Sequence, residues 1–389
     1  MEEFELLCRD DVREAVERNI DRDPVAVALD KRVPCASVVA TQVKYLQRAR
    51  RKLPSYFAAR CIVPSLAFGQ SSSEECAEAK MIEGDSVLDL TCGLGVDSFA
   101  LSRRFGRVVS VERSEVLAAV ARENFSRLGV KNAEVVCDSA EHFVQTVSER
   151  FDWCFADPDR RGADGSKRVL IEDCSPDMFA VIPVLMSRGI ASRFLIKLSP
   201  MFDVDEALRL FSRYGRCSVS AVSLGDECKE VLVRIDDGCE PSVSAIAVGR
   251  GAVSFPVTPP ESDAAEPLTA EYVAAARYLI VPDVALQKAR LVRRSLRGEA
   301  VAGSENGFAF AVERPSDGVL GRVLAIERAE RYDPRRLRRE LKGCGAEILL
   351  RDVPLTKDRI LKAAGLHEGS DVRMAFTSAA GEIWAIRLK

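Results

Sequence analysis

The fold of this 389-residue chain is decided by one segment, VLDLTCGLGVD at residues 87–97. The segment predicts an apolar strand that ends at Asp89, a Gly-x-Gly turn at Gly93 and Gly95, and the start of a helix. A second apolar strand, at residues 108–111, ends in another acid, Glu112. A strand, a glycine turn, a helix, a strand and an acid form a nucleotide-binding half-unit of a doubly wound α/β fold. A dinucleotide site would add a third glycine, but that position is Ser98.

Two further predicted strands also end in polar residues. The strand at residues 133–137 leads to Asp138-Ser139, and the strand at 152–157 leads to an Asp-Pro-Asp turn at 157–159. Ligands of open parallel sheets bind at the carboxyl ends of the strands, so we expect the four strand ends to meet in one crevice. Each end also has a simpler interpretation: Glu112 as a solvated strand end, Asp138 as the N-cap of a helix at 140–146, and residues 157–158 as a turn.

The spacing Asp-x-x-x-Gly-x-Gly resembles the cofactor loop of class I S-adenosylmethionine-dependent methyltransferases. The resemblance implies that Glu112 accepts hydrogen bonds from two ribose hydroxyls, and that the acid after the third strand meets the adenine amino group. It also implies that the turn after the fourth strand faces the methyl group and the substrate. The expected cofactor-binding residues are Asp89, Thr91, Gly93, Gly95, Asp97, Glu112, Asp138 and Ser139, and the expected catalytic residues are Asp157, Pro158 and Asp159.

The composition, with 47% hydrophobic and 30% charged residues, is that of an ordinary protein with a sizeable core. A net charge of −3 gives no global signal for nucleic acid, so any basic surface must be local. No apolar run reaches the roughly 18 residues of a membrane span, and the acidic N-terminus lacks the features of a signal peptide. Twelve cysteines without a Cys-x-x-Cys pair predict reduced thiols in the cytoplasm and no structural metal site.

Four successive regions are predicted: an N-terminal helical segment (1–80), a Rossmann-like domain (81–240), a small α/β connecting region (241–315) and an α+β domain (316–389). The fold class is therefore α/β. Seven core strands are expected near 86–90, 107–112, 133–137, 152–157, 192–198, 216–223 and 229–235, the last two as an antiparallel hairpin. Beyond them we expect a hairpin at 242–257, a loop at 259–263 and helices at 271–278, 283–296 and 334–342.

Several motifs together look like one bacterial family, the class I methyltransferases with a C-terminal THUMP-like domain. They are the glycine loop and residues 157–161, 197–200 and 278–290, with leading segments at 30–34, 52–55 and 72–74. The resemblance covers nearly the whole chain and adds Ser73 and Glu74 to the expected cofactor-binding residues. THUMP domains bind RNA, chiefly tRNA, so it implies an RNA methyltransferase, more distantly similar to trimethylguanosine synthases. Cys92 and Asp159 depart from the family pattern, which has glycine and a small polar residue there.

The C-terminal half carries a local positive charge. Residues 288–342 contain 14 Lys/Arg and 8 Asp/Glu, a balance of +6. Too many of the basic residues share the predicted helix at 334–342 for all of them to sit in i,i+4 ion pairs. The helix is either a phosphate-binding surface or an ordinary solvated face. The basic end of an earlier helix, at residues 44–52, has the same two interpretations. The expected RNA-binding residues are Arg160, Arg161, Lys197, Arg335, Arg336 and Arg339.

The residues at 157–161 suggest which atom receives the methyl group. Enzymes that methylate base amino groups often place Asp/Asn-Pro-Pro-aromatic at this turn. Here Asp157-Pro158 is present, but Asp159 and Arg160 replace the second proline and the aromatic residue. Arg160 could stack on the base through its guanidinium plane. Arg160 and Arg161 could instead hold a phosphate or pair with Asp173 or Asp177. Methylation at a pyrimidine carbon needs a cysteine nucleophile. The two positions where such enzymes place it are occupied here by Asp159 and by the Ser-Pro pair at 199–200.

Cys174 is the one thiol near these positions, and a buried structural role is its favoured interpretation.

Three functions remain open at the level of sequence. The leading interpretation is an S-adenosylmethionine-dependent methyltransferase of RNA, with tRNA as the partner. The second is the same catalyst acting on a small molecule or a protein. The third is a non-catalytic RNA-binding protein with a vestigial methyltransferase core.

Overall fold

The computed structural model describes residues 1–159, 174–257 and 267–389 of the chain. These residues divide into two compact units. Unit 1 comprises Met1–Ser218 and Val231–Glu240, and unit 2 comprises Val219–Glu230 and Pro241–Lys389. Unit 1 contains the first two predicted regions except residues 219–230, which belong to unit 2 together with the last two regions. The loop expected at 259–263 lies outside the described residues.

The first 80 residues of unit 1 are helical, as the sequence predicts. Pro54 ends the longest helix, since proline cannot continue it, and the hydroxyl of Ser73 caps a later one by accepting from the backbone N–H of Cys76. The helices are α1 (Glu2–Cys8), α2 (Asp10–Asn19), α3 (Pro24–Leu29), α4 (Ala36–Lys52), α5 (Pro54–Ala58), α6 (Ser65–Gln70) and α7 (Glu74–Glu78).

A parallel sheet follows, and its strands lie within about two residues of their predicted positions. They are β1 (Gly84–Asp89), β2 (Phe105–Glu112), β3 (Ala133–Cys137), β4 (Trp153–Ala156), β5 (Phe194–Leu198), β6 (Cys217–Leu224) and β7 (Glu227–Ile235). The connecting helices are α8 (Val96–Ser102), α9 (Glu115–Arg127), α10 (Ala140–Thr146), α11 (Met178–Ser187) and α12 (Val204–Phe211), and a 3-10 turn covers Ser212–Tyr214.

The order of the sheet in unit 1 is β3-β2-β1-β4-β5-β7. Strands β1 to β5 are parallel, and β7 runs antiparallel to β5. The reversed strand confirms the predicted hairpin and the Rossmann-like methyltransferase fold class. Chain order reverses between β1 and β4, because β2 and β3 lie on one side of β1 and β4 and β5 on the other. Such a switch point leaves a crevice at the carboxyl ends of the strands.

The N-terminal helices share one hydrophobic core with α8 and α9. Leu46 and Tyr56 are fully buried in the same cluster as Phe99 and Phe125. Tyr56 packs edge-on against Phe99, with ring centroids 5.9 Å apart. The amphipathic helices cannot bury their apolar faces alone, so they complete the domain rather than form a separate one.

Unit 2 contains one large mixed sheet. Its order is β11-β12-β10-β13-β17-β16-β14-β15. Strands β11, β12 and β10 come from the predicted region 241–315 and the other five from 316–389, and the pairing of β10 with β13 joins the two regions in one sheet. The helices and strands of unit 2 that follow residue 240 are β8 (Ser242–Ala247), β9 (Gly251–Pro256), α13 (Ala270–Ala275), β10 (Tyr278–Pro282), α14 (Val284–Lys288), α15 (Val292–Ser295), β11 (Val301–Ala302), β12 (Ala309–Ala311), β13 (Gly321–Arg331), α16 (Pro334–Leu341), β14 (Gly345–Leu350), α17 (Lys357–Ala364), β15 (His367–Glu368), β16 (Val372–Ala379) and β17 (Glu382–Leu388).

Strands β8 and β9 confirm the predicted hairpin at 242–257, and β8 also pairs in parallel with residues 219–223 of β6. The predicted helix at 271–278 is partly wrong, because α13 ends at Ala275 and Tyr278 begins a strand. Alternate residues of β10 enter different clusters: Ile280 packs with one, Leu279 and Val281 with another. Burial on both faces suits a strand better than a helix with one apolar stripe.

The predicted single helix at 283–296 is also wrong. It is two short helices, α14 and α15, separated by Arg290, whose φ of +54° is left-handed and incompatible with a continuous helix. The sequence offers no glycine or proline at this break, so the interruption is imposed by packing. Strands β11, β12 and β15 were not predicted, because strands of two or three residues are too short to show an alternation of apolar and polar side chains.

Candidate active site

The glycine loop joins β1 to α8 at the switch point of the sheet. Gly93 and Gly95 have φ values of +53° and +84°, which only glycine adopts without strain. A Cβ on Gly95 would lie 2.8 Å from the ring of Phe125, whereas one on Gly93 would meet nothing closer than the Thr91 carbonyl at 4.0 Å. Gly95 is therefore a packing glycine, and Gly93 borders open space where a ligand can approach the backbone. Cys92, at the family's glycine position, is buried and does not obstruct that space.

Asp89 lies beneath this loop and is completely buried. Its Oδ1 accepts a hydrogen bond from the backbone N–H of Thr91 at 2.9 Å, and its Oδ2 accepts one from the hydroxyl of Ser98. Burial raises the pKa of Asp89 to about 7, although these hydrogen bonds oppose the increase. Asp89 is inaccessible in this structure and positions the loop from within, and its contact with the cofactor stays a prediction.

Glu112, at the end of β2, braces the loop from the other side. One carboxylate oxygen accepts from the backbone N–H of Gly93 at 2.8 Å, and the other accepts from that of Ser114 at 2.9 Å. Each carboxylate oxygen can accept a second hydrogen bond. Glu112 thus keeps acceptor capacity beside the open face of Gly93, and its contact with the ribose hydroxyls stays a prediction.

Asp138 and Ser139 follow β3. The helix α10 is capped by Ser139, whose hydroxyl accepts from the backbone N–H of His142 at 3.2 Å. The alternative that Asp138 is the N-cap is therefore wrong. Asp138 instead accepts from the Ser139 backbone N–H at 2.7 Å and contacts Nδ1 of His142 at 2.7 Å. With its side chain one quarter exposed, Asp138 stays a predicted partner of the adenine amino group.

Asp97, in the first turn of α8, belongs to a buried network of polar side chains that no local sequence pattern indicates. Its Oδ1 lies 2.7 Å from Nζ of Lys80, which is 1% exposed, and its Oδ2 accepts from the hydroxyl of Ser72 at 3.0 Å. Burial alone would raise the pKa of Asp97, but Lys80 and Lys197 outweigh burial and lower it. No local pattern marks Lys80, since it follows a short helix as an ordinary polar residue would.

Ser73 and Glu74 lie close to this network but serve helix ends. Ser73 caps α7. The Glu74 carboxylate accepts from the backbone N–H of Ser55 at 2.9 Å and from its hydroxyl at 2.8 Å. These interactions satisfy the first turn of α5. Both side chains thus serve helix ends in this structure, and their contact with the cofactor stays a prediction.

Tyr56, also absent from the predicted site, supports the loop directly. Its hydroxyl donates to the carbonyl oxygen of Leu94 at 3.2 Å. The N-terminal helices therefore hold the glycine loop through a hydrogen bond as well as through packing.

Asp157 and Lys197 are brought together from the ends of β4 and β5. Nζ of Lys197 donates to Oδ2 of Asp157. The side chain of Asp157 is 33% exposed and that of Lys197 is 12% exposed, so the carboxylate is the more accessible member of the pair. Burial raises the pKa of Asp157, and Lys197 opposes the increase. The backbone N–H of Asp157 donates to the hydroxyl of Thr91 at 2.7 Å, which fixes the β4 turn to the glycine loop.

The rest of the β4 turn is held by backbone pairing. Asp159 and Ser175 exchange two backbone hydrogen bonds, of 2.9 and 3.0 Å, and Pro158 is buried. Oδ2 of Asp159 accepts from the side chain of Gln70 at 3.4 Å. Arg160 and Arg161, predicted to bind substrate, lie outside the described residues, so their interactions are not described.

The predicted RNA-binding arginines of unit 2 differ from one another. Arg336 is held by Glu330 and Glu340, both at 2.9 Å, so its charge is locally compensated. Arg335 and Arg339 are exposed and form no ion pair with any residue in the described ranges. Arg335 and Arg339 therefore offer uncompensated charge, whereas the charge of Arg336 is paired, and RNA binding by all three stays a prediction.

The residues of the glycine loop and of the end of β2 fit S-adenosylmethionine for two reasons. Gly93 leaves open space beside the loop, and Glu112 retains acceptor capacity there. A family model described as a methyltransferase domain matches residues 82–245, which include the loop and β1 to β7. Residues 82–245 are therefore a class I S-adenosylmethionine-dependent methyltransferase domain, with S-adenosylmethionine as its cofactor. Within the described ranges, no cluster of potential ligands for a metal ion is present.

Several curated relatives are named as RNA methyltransferases. A tRNA/tmRNA (uracil-C(5))-methyltransferase of Shewanella sp. (strain W3-18-1) is 30% identical over 118 residues, 24% of this chain and 32% of that protein. The 23S rRNA (uracil(1939)-C(5))-methyltransferase RlmD of Stenotrophomonas maltophilia (strain R551-3) is 37% identical over 110 residues, 25% of each chain. The chain thus spans a quarter to a third of the length of these relatives.

One solved structure matches over nearly the entire chain. A methyltransferase-class protein of Porphyromonas gingivalis W83 superimposes with a TM-score of 0.82 and covers 97% of each chain at 23% sequence identity. At this identity the likeness establishes the shared fold, including both units. None of the helices in the described parts of the chain has the length and hydropathy that a bilayer span requires.

Proposed function

We propose that this protein methylates RNA, with tRNA as the first substrate to test, at an exocyclic amino group of a base. The observation that carries the proposal is the Asp157–Lys197 pair, set beside the glycine loop in a domain whose curated relatives are named as tRNA and rRNA methyltransferases. The THUMP-like character of the C-terminal region, implied by the sequence resemblance, is part of the same proposal.

Asp157 is the residue that would hold the acceptor nitrogen. Lys197 engages Oδ2, whereas Oδ1 makes no hydrogen bond to any residue that the structure describes. An amino N–H can therefore donate to Oδ1, which directs the nitrogen lone pair away from the acid. Lys197 favours the ionised carboxylate against the effect of burial and fixes its rotamer. Burial, which raises the pKa of Asp157, suits the same oxygen to take the proton that the nitrogen loses.

The remaining residues position rather than react. When bound, S-adenosylmethionine supplies a methyl group attached to a sulfonium sulfur. The thioether that departs is a good leaving group. Alignment of donor and acceptor is then the main task of the protein. The Thr91 hydroxyl contributes by tying the β4 turn to the loop, and Glu112 by holding the Gly93 amide.

The curated relatives are named for methylation at uracil C5, and the site argues against that atom here. Carbon methylation requires an activated thiol. The residue after Pro158 is Asp159, and Ser199-Pro200 follows β5. Cys174, the thiol that the sequence places nearby, is buried. Cys92 is also buried, and burial raises its pKa well above the ordinary value, so its thiol stays protonated. A nitrogen acceptor needs no such nucleophile.

The test uses the full-length protein with methyl-labelled S-adenosylmethionine and three separate pools: unmodified tRNA, ribosomal RNA and metabolite extract. We expect label in tRNA, lost in Asp157→Asn and retained in Asp358→Asn, an exposed acid of α17 chosen as the control. Digestion of the labelled tRNA would show a methylated amino group.

Each other outcome rejects part of the proposal. Label at uracil C5 would replace the amino group as target, and label only in ribosomal RNA would replace tRNA. Label confined to metabolites would favour a small-molecule methyltransferase. Cofactor binding without label in any pool would favour the non-catalytic interpretation.

A further inference from the structure

A segment without acids covers most of the N-terminal helices of unit 1. Residues 31–73 contain 8 Lys/Arg and no Asp/Glu. Some of these cations reach acids that precede the segment, in the pairs Arg32–Asp30, Arg50–Asp21 and Arg60–Glu17. Lys44 and Arg48, one turn apart on α4, are exposed and form no ion pair with any residue in the described ranges. Their charge is therefore not compensated by those residues.

Lys44 and Arg48 are held beside an aromatic ring instead. Nζ of Lys44 lies 5.8 Å from the ring centroid of Tyr45, and the guanidinium carbon of Arg48 lies 5.4 Å from the same centroid. Tyr45 is half-buried and packs edge-on against Phe68 of α6, with ring centroids 5.7 Å apart. A cation–π contact positions a cation without neutralising its charge. Lys44, Tyr45 and Arg48 together form the α4 surface, which carries two positioned positive charges.

The usual reasons for a basic helix do not account for Lys44 and Arg48. Cations in the last turn of a helix complement its macrodipole, and the last turn of α4 holds Arg50, Arg51 and Lys52. Lys44 and Arg48 precede that turn. Acids three or four residues away often pair with the bases of a solvated helix, but the sequence of α4 contains no acid. Helix stability therefore does not explain the charge of the α4 surface.

The α4 surface is connected to the β4 turn through α6. Nζ of Lys52 donates to the carbonyl oxygen of Phe68 at 2.6 Å, which ties the end of α4 to α6. Two residues after Phe68, the side chain of Gln70 donates to Oδ2 of Asp159 at 3.4 Å. Asp159 lies two residues beyond Asp157, the proposed partner of the methyl acceptor. A long anionic substrate that places its reacting group at Asp157 can thus extend across α6 to the α4 surface.

We propose that the α4 surface binds the phosphodiester backbone of the RNA substrate next to the reacting base. Lys and Arg are the main partners of backbone phosphates, and binding gains free energy from the counterions that the RNA releases. An anionic membrane would also attract these cations, but the link through α6 to the β4 turn favours a substrate. The inference deepens the proposed function and rests on it for the identity of the ligand.

The test compares two double variants of the full-length protein. Lys44→Gln/Arg48→Gln removes the charges of the α4 surface. Lys131→Gln/Arg150→Gln is the matched control, because it removes one lysine and one arginine at exposed positions of unit 1 that form no ion pair in the described parts of the chain. Glutamine keeps the helix propensity of the residues it replaces, and S-adenosylmethionine binding by equilibrium dialysis verifies that each variant is folded.

Affinity for unmodified tRNA and for ribosomal RNA is measured by filter binding, without methylation, from about 0.05 to 0.2 M salt. We expect Lys44→Gln/Arg48→Gln to bind RNA at least about tenfold more weakly near 0.1 M salt, with the control close to the wild type. The slope of log affinity against log salt should become shallower by about 1.4–1.8, because each phosphate contact contributes about 0.7 in single strands and 0.9 in duplexes.

Three results would overturn the α4 surface as an RNA-binding site. They are no RNA binding by the wild type, equal losses in the two double variants, and unchanged RNA affinity in Lys44→Gln/Arg48→Gln. If that variant instead loses binding to phosphatidylglycerol vesicles while its RNA affinity is unchanged, the surface is one for anionic membranes.

The binding experiment is independent of the labelling experiment, so the two proposals fail separately. Label in tRNA together with unchanged RNA affinity in Lys44→Gln/Arg48→Gln would reject the α4 surface and keep the proposed function. RNA binding that this variant weakens, without label in any RNA pool, would reject the proposed function and keep the surface.

Discussion

At the residue scale, the two loop glycines have different physical reasons for being glycine. Both have a positive φ, but only Gly95 also lacks room for a Cβ, because the ring of Phe125 would lie 2.8 Å away. Gly93 has room, and we expect the cofactor to occupy it. The reason for glycine at position 95 is therefore packing, and the expected reason at position 93 is the approach of the cofactor.

Replacing each glycine with alanine separates these roles. Gly95→Ala should destabilise unit 1 by about 2–5 kcal/mol, because left-handed strain and overpacking add. Gly93→Ala should cost only about 1–2 kcal/mol but weaken S-adenosylmethionine binding. Gly129→Ala is the matched control, since its φ is +72° with nothing within 4 Å of the new Cβ. Urea unfolding and equilibrium dialysis measure both effects; equal losses in Gly95→Ala and Gly129→Ala would contradict the packing argument.

Asp89 makes a pH-dependent contribution to stability. Its pKa rises from 3.8 to about 7 on folding, so the folded protein binds a proton there that the unfolded chain releases. The associated stabilisation is present below the unfolded pKa and is lost as the pH rises through about 7. Asp89→Asn lacks this titration. The free energy of unfolding of Asp89→Asn, relative to that of the wild type, should therefore increase by up to about 1.4 kcal/mol per pH unit between roughly pH 4 and 7.

The measurement needs a signal from unit 1 alone. The chain has two tryptophans, Trp153 in β4 and Trp384 in β17, so a Trp384→Phe background confines the fluorescence to unit 1. Parallel stability curves for the wild-type side chain and for Asp89→Asn across this pH range would show that Asp89 does not titrate as described.

Lys197 controls the ionisation of Asp157. Its positive charge lowers the pKa of that carboxyl against the effect of burial, so Lys197→Met should raise the pKa. If Asp157 acts as the proposed base, the acid limb of the kcat/KM profile should then move to higher pH. Lys131→Met, at an exposed position, provides the control. A lower rate with an unmoved acid limb would mean that Lys197 acts by some route other than Asp157.

At the element scale, the Lys80–Asp97 pair joins the end of α7 to the start of α8. Both partners are largely buried, and removal of one partner leaves a buried charge, which typically costs about 3–5 kcal/mol. Lys80→Met should destabilise unit 1 by about this amount, and adding Asp97→Asn should recover part of it. Chemical denaturation of the three variants forms a double-mutant cycle. Strict additivity would show that the two side chains do not interact.

Elements with a clear periodicity were predictable, and those shaped by their neighbours were not. Strand β3 and helix α10 have the predicted bounds, because their apolar spacing and caps are local. By contrast, the helix expected at 283–296 breaks at Arg290 although no residue there disfavours helix strongly. Leu286 and Leu291, on either side of the break, pack into the same cluster, so tertiary contacts override local propensity.

At the scale of the whole molecule, the boundary between the units does not follow a single cut in the chain. Residues 219–230 belong to unit 2 although residues 231–240 return to unit 1. Strand β8 therefore depends on residues 219–223 for its parallel partner.

Two fragments test this dependence. A fragment of residues 217–389 retains both neighbours of β8, whereas residues 241–389 leave one edge of it unpaired, which favours aggregation and local opening. We expect slower amide hydrogen exchange in β8 of the longer fragment and cooperative unfolding reported by Trp384. Equal protection of β8 in the two fragments would contradict the assignment of residues 219–230 to unit 2.

Local patterns of apolar runs, turns and polar termini were enough to predict the Rossmann-like sheet, the glycine loop and the four acids at the strand ends. The folded chain adds that Asp89 is buried and braces the loop, whereas Asp138 and Asp157 keep partly exposed side chains. It also pairs Lys80 with Asp97 and Lys197 with Asp157. Such outcomes depend on burial and on contacts between residues distant in the chain, which spacing along one sequence does not encode.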